Sequence, residues 1–278
     1  MTSVEFFKGR KAVIATKHAK EKVMQPLLHH SLGVECFSLE KFDTDTFGTF
    51  TGEVERRLSP KDTLRAKISA ALDLSGETLG FGNEGSFGPH PQIPFIASDV
   101  ELVMMIDRKH KLEVVVSHLT TETNFRQGRI CNIQELNSFL ESVDFPTHGV
   151  MLRSENNNEL RKGINNWGDL YQATQALGLG RNMLSIETDM RAMFNPTRME
   201  VIKTTTQKLV DKIMQQCPVC SMPGYGDEEL VSGLPCECCG EATDLVKQKI
   251  MQCPHCSHCT SLELEKKAPA MYCNQCNP

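Results

Sequence analysis

No stretch of this sequence approaches the roughly 20 consecutive apolar residues that a membrane-spanning helix needs, so no spanning segment is expected. Met1 to Arg10 lack the apolar core of a secretion signal, and the expected location is the cytoplasm. An excess of positive charge is missing too. The formal net charge is −5, which gives the chain as a whole no electrostatic footprint for nucleic acid. Internal repeats and long low-complexity linkers are absent. What remains is an ordinary globular composition, 40% hydrophobic and 23% charged, in a chain long enough for one large domain and a small one.

Cysteine is scarce at first and then abundant. Of 12 cysteines, only Cys36 and Cys131 precede residue 217. Without a secretion signal, such density points to metal and not to disulfides. Four C-x2-C turns stand in the last segment: Cys217 and Cys220, Cys236 and Cys239, Cys253 and Cys256, Cys273 and Cys276. Two such turns close one tetrahedral four-cysteine zinc site, so four turns predict two zinc ions. Sequential pairing is the simplest arrangement, with the first turn joined to the second and the third to the fourth. A cross-brace, joining the first turn to the third, is the alternative. Cys238, Cys259, His255 and His258 are read as bystanders. Closed sites have no open coordination position, so this zinc is expected to be structural. The segment also has four lysines, no arginine and more acidic than basic residues, which argues for protein contact over nucleic acid.

The preceding residues alternate between strand and helix patterns. This predicts an α/β layered body with a mixed sheet over residues 1–190, a connecting helix over 191–216 and a zinc-ribbon module over 217–278. Lys11 to Thr16 reads as a buried strand, and Ser59-Pro60 as a helix start. Glu101 to Ile106 and Leu112 to Val116 read as a hairpin. Ile133 to Ser142 and Leu160 to Leu177 read as helices.

Four polar constellations in the body are candidates for chemistry. Thr16, Lys17 and His18 leave the first strand and enter a helix, where α/β proteins bind anions. The loop from Asp43 to Arg57 gathers Asp45, Glu53 and Glu55 with several hydroxyls, a composition suited to Mg2+. A constrained loop from Gly82 to Pro94 carries Glu84 as metal ligand or general base, Ser86, and His90 as ligand or acid. Alternatively, His90 there bonds backbone. Last, Arg191 and Arg198 flank a helix start, as a phosphate clamp or as members of a salt-bridged network.

The segments FGTFTGE, NEGSFGPHP, ETDMRA and NPTRM, followed by the paired turns and a final CNP, resemble an uncharacterised bacterial family recorded as a domain of unknown function. Ala15-Thr16-x-His18, Thr63-x3-Lys67 and Glu84-Gly85 are similar to house-cleaning nucleoside-triphosphate pyrophosphatases, although His18 stands where those proteins usually have asparagine. That likeness implies that Lys67 neutralises phosphate and that Glu53 and Glu84 serve Mg2+ or the attacking water. Together these readings predict a metal-dependent phosphohydrolase acting on a nucleotide or another small phosphorylated substrate. Glu84, Glu53 and Asp45 would gather the metal and His90 would assist proton transfer. The alternative is a non-enzymatic scaffold that binds a protein partner through the zinc module. Oligomeric state is not fixed by the sequence.

Overall fold

The computed structural model describes residues 3–40, 42–44, 58–264 and 266–278, with backbone alone at 227–229. Asp45, Glu53 and Glu55 therefore lie outside the described residues.

The first sheet has five strands in the order β2-β1-β3-β4-β5. These are β1 (Lys11–Ala15), β2 (Glu35–Ser38), β3 (Leu79–Pro89), β4 (Ala97–Asp107) and β5 (Leu112–Thr120). β1 runs parallel to both β2 and β3, while β3, β4 and β5 pair antiparallel, so the sheet is mixed as expected. The helices α1 (Glu21–Leu32) and α5 (Pro196–Met214) cover one face. Their Met24, Leu28, Ile202 and Leu209 share a core with Phe81, Val103 and Met105. The helix α2 (Pro60–Ser75) covers the other face, where Leu64 and Ile68 meet Val13 and Met104. Ser59 caps α2 by accepting the Asp62 amide hydrogen, and Pro60 fills its first turn. Gly82 lets α2 lie close, because a Cβ there would stand 2.8 Å from Ile68 Cγ1.

A second, four-stranded antiparallel sheet follows, in the order β6-β9-β7-β8. Its strands are β6 (Gln127–Ile130), β7 (Val150–Ser154), β8 (Leu160–Ile164) and β9 (Leu184–Thr188). The helices α3 (Ile133–Ser142) and α4 (Trp167–Leu177) bury Leu136, Leu140, Leu170 and Leu177 against Val150, Leu152 and Ile186. Three expectations change here. The segment from Leu160 to Leu177 is a strand followed by a helix, because Asn166 caps a new helix at Asp169 N. Gly82 to Pro94 is mostly strand, with only 90–96 left as the hairpin tip. And α5, read as a connector, is a wall of the first core.

The module after α5 holds β10 (Gly226–Ser232), β11 (Val246–Gln252) and β12 (Cys259–Glu263) in one antiparallel sheet. Gly224 fits it against the edge of the first sheet. Its φ is +93°, and a Cβ there would lie 2.6 Å from Val114 Cγ2. No helix among the described residues is long and apolar enough to cross a membrane.

Candidate functional site

The four C-x2-C turns form two quartets, each with sulfur atoms within 4.8 Å of one another. The pairing is interleaved and corrects the sequential expectation. Cys217 and Cys220 join Cys253 and Cys256, while Cys236 and Cys239 join Cys273 and Cys276. Strand geometry enforces this. The first turn precedes β10 and the third follows β11, so the antiparallel hairpin brings them together. The second turn sits in the β10–β11 connection, at the opposite end, where the C-terminal turn reaches it.

A tetrahedral site with Zn–S near 2.3 Å has sulfur–sulfur edges of about 3.8 Å. The distances are 3.7 Å for Cys217–Cys256, 3.6 Å for Cys220–Cys253, 3.9 Å for Cys236–Cys276 and 3.5 Å for Cys239–Cys273. Backbone amides point at the sulfurs: Val219 N to Cys217 Sγ, Cys238 N to Cys236 Sγ and His255 N to Cys253 Sγ, each at 3.4 Å. Cys238 thus contributes an amide and no sulfur, and Cys259 belongs to neither quartet. The donor set suits two structural zinc ions.

The body contains a different kind of site. The register of β1 with β3 ends at Ala15 opposite Gly82, and β3 continues past it. The chain reverses its winding between β1 and β3, and the crevice at such strand ends is where open α/β sheets bind ligands. Thr16, Lys20, Lys67, Asn83, Glu84, Asp99, Glu101 and Arg198 are all buried there. On the α2 face, Lys67 Nζ donates to Glu84 Oε2 at 2.7 Å. On the α5 face, Arg198 Nε donates to Glu101 Oε1 at 2.7 Å and Asn83 Nδ2 to Glu101 Oε2 at 2.8 Å. Lys20 Nζ donates to the Asn83 carbonyl at 2.9 Å. Gly85 is required beside them, since a Cβ would meet Arg198 Nη2 at 2.5 Å.

This cluster is incompletely satisfied. Thr16 Oγ1, Asn83 Oδ1 and both Asp99 carboxyl oxygens are buried with no hydrogen-bond partner among the described residues. Burial lowers the Lys20 amine to about 7, with the Arg198 charge acting the same way. Burial, reinforced by Glu101, raises the Asp99 carboxyl to about 8. Asp99 therefore keeps its proton in the native state between its ordinary 3.8 and about 8, where the unfolded chain has released it. The unfolded state binds fewer protons in that window, so native stability falls with rising pH, by up to about 1.4 kcal/mol per unit. Lys20 acts oppositely above about 7, where the unfolded chain holds the extra proton and stability rises with pH. Asp99→Asn is expected to abolish the fall below pH 8 and to keep the rise above it. Urea unfolding midpoints across pH 5 to 10 check this.

The sequence-derived candidates are placed unequally. Thr16, Lys67, Glu84 and Arg198 meet in the cluster, and Ser86 stands two residues beyond Glu84 on the same face of β3. Lys17 is exposed and pairs with Asp43 at 2.8 Å, while His18 is half-buried beside it. His90 is elsewhere. Six residues along β3 from Glu84 is about 20 Å, and His90 Nδ1 there accepts the Gln92 and Ile93 amide hydrogens at 3.2 Å. Arg191 is held by Asp189 at 2.6 Å and lies over the Phe194 ring, as in the salt-bridged alternative. Lys20, Asp99 and Glu101 were not anticipated. Asp99 and Glu101 alternate with Val103 and Met105 on the inward face of β4, so acids in buried period-2 positions were the available signal. Among the described residues, the cysteine quartets are the only groups of three or more His, Cys, Asp or Glu with converging donor atoms.

Residues 67–278 match a family described as Domain of unknown function (DUF6671). No curated protein matches the chain. Among solved structures, the crystal structure of protein VC0702 from Vibrio cholerae is similar at 10% identity, over 49% of this chain and 74% of that chain. Its TM-score is 0.28, too low to carry an argument.

Proposed function

Because the chain belongs to a family of unknown function, the DUF6671 family, we propose its activity from the site alone: hydrolysis of a nucleotide or related phosphorylated small molecule at the carboxyl end of β1. The observation that carries this reading is the group of unpartnered buried polar atoms of Thr16, Asn83 and Asp99 beside three cations, Lys20, Lys67 and Arg198. Leaving such groups unpaired costs free energy that a polar ligand recovers. Lys67 offers an ammonium to phosphate, with Glu84 holding it in place. Thr16 offers a hydroxyl at the strand end. A partly neutral Lys20 and a protonated Asp99 can each exchange a proton near neutral pH. Mg2+ would be held by Glu84 with Asp45 and Glu53 and would supply charge neutralisation on the phosphates. The zinc module has a structural part in this reading.

The test is a nucleotide panel with Mg2+ or Mn2+. The wild type is expected to turn over at least one member, and Glu84→Gln and Lys67→Met to lower kcat/KM by about 10²- to 10³-fold, with folding checked by circular dichroism. No turnover across the panel overturns the hydrolase. That outcome favours the second reading, a protein-binding scaffold, for which the exposed Val219, Leu262, Met271 and Tyr272 of the zinc module are the observation.

A further inference from the structure

β5 is an outer strand of the first sheet, and its pairing with β4 leaves one line of its backbone groups pointing outward. The Val115 carbonyl accepts from Lys212 Nζ at 3.4 Å, which puts it on that line. The alternation of an antiparallel pair adds Glu113, Ser117 and Leu119. Among the described residues, no backbone group outside the sheet bonds to these four. The zinc module meets the strand at Val114, while Ser117 and Leu119 are exposed. Proteins blunt such edges with lysine, proline or a bulge. β5 carries no lysine or proline, and its register with β4 is unbroken.

A cavity of about 580 Å³ lies along this edge, walled on its far side by Gly226 and Leu230 of β10. It wraps the edge from one face of the sheet to the other, because Leu102 and Val115 belong to the α2 face and Val116 to the α5 face. A second cavity of about 220 Å³ continues it to Glu113 and shares Lys61 and Val115 with it. Together they follow three successive outward positions, 113, 115 and 117, over about 14 Å. That shape suits an extended chain. Lys61 stands on the α2 side and Lys208 on the α5 side, both exposed. Lys208 Nζ donates to His118 Nδ1 at 2.7 Å, a ring kept neutral by burial and by the lysine itself. The acids nearby are engaged: Glu113 accepts from Arg65 at 2.6 and 2.7 Å, and Asp211 from Gln207 Nε2 at 2.8 Å.

We infer that this groove docks an extended acidic segment of a partner protein, which adds to the first sheet as a strand beside β5. The outward N–H and C=O groups pair with its backbone. Its alternate side chains reach Lys61 on one face of the sheet and Lys208 on the other. A second copy of this chain suits the groove less, since symmetric pairing of two β5 edges brings like-charged rims together. The inference holds whether or not the strand-end cluster is catalytic.

The test measures binding of labelled octapeptides to the full chain by fluorescence polarisation. The probe alternates valine and glutamate. It is expected to bind about tenfold or more tightly than an octapeptide alternating proline and glutamate, which has the same charge and cannot pair as a strand, a gap of about two backbone hydrogen bonds. An octapeptide alternating valine and lysine is expected not to bind. Ser117→Pro removes one outward N–H at an edge position, where proline is tolerated, and is expected to weaken the probe about fivefold or more. Lys61→Glu with Lys208→Glu, both at exposed positions, is expected to weaken it about tenfold with an unchanged circular dichroism spectrum. The inference is overturned by a probe that does not bind, by equal binding of the proline peptide, or by full binding to the double lysine variant. A dimer of the full chain that Ser117→Pro dissolves gives the edge to a second copy and overturns it as well.

Discussion

Removing metal from the two cysteine quartets is expected to unfold residues 217–278 while the two sheets of the body stay folded. The module has very little else to hold it. Among the described residues, its buried apolar cluster is Cys217, Tyr225 and Cys253 with Cys220 and Met251 at the edge, and three of those five residues belong to the quartet itself. The strand β12 is exposed along its length. Structural zinc supplies on the order of 10–16 kcal/mol in modules of this type. No burial of that size is present among the described residues to replace it. Interleaving adds a sharper consequence. Each quartet ties one end of the β10–β11 hairpin, so opening one end loosens the strands that present the other. Cys273→Ala is expected to strip its own zinc and also to speed chelator extraction from the Cys217 quartet. Metal content by elemental analysis, chelator kinetics and amide exchange check this. An apo protein with unchanged exchange protection in 217–278 contradicts the first part. A Cys273→Ala variant that releases its remaining zinc at the wild-type rate contradicts the second.

Arg198→Met is expected to cost about 3–5 kcal/mol of folding free energy, because it strands a charge in the interior. The Arg198 side chain is 7% exposed and that of its partner Glu101 0%. The same guanidinium donates to the Met190 carbonyl and lies 4.8 Å over the Phe87 ring. It therefore joins β4 and β3 to the segment leaving the second sheet. The loss comes chiefly from Glu101 left without its counter-ion, with the Asn83 amide still donating to it, which is why the double variant Arg198→Met with Glu101→Leu should recover most of it. Urea unfolding of both variants measures the difference. By contrast, the exposed Arg108–Asp73 pair, at 2.6 Å, should contribute under about 1 kcal/mol. Equal costs for removing the buried and the exposed arginine would show that Glu101 finds water or a proton without penalty.

The helix starts were legible because their causes are local. Ser59 with Pro60 and Asn195 with Pro196 each place a cap and a preset φ in adjacent positions, and α2 and α5 begin there. The β4–β5 hairpin was legible for the same reason, as two apolar runs around a short turn. Gly82 to Pro94 misled because four of its residues are glycine or proline before His90. Gly82 and Gly85 serve close packing under α2 and beside Arg198, which is long-range information. The Leu160 to Leu177 segment misled because β8 is one short strand at the sheet edge, paired among the described residues with β7 alone.

By itself the sequence determined the eight cysteines that form the two quartets and the mixed α/β class. Each rests on residue type and on spacing within one turn. The tertiary structure decided which cysteine turns share an ion, because an antiparallel hairpin, and not chain order, sets what meets at each end. It also decided that His90 and Arg191 stand apart from the strand-end cluster, and that Lys20, Asp99 and Glu101 belong to it. Those three carry no motif. They are brought together because β3 outruns β1 and leaves a buried strand end that α1, β4 and α5 fill with charge.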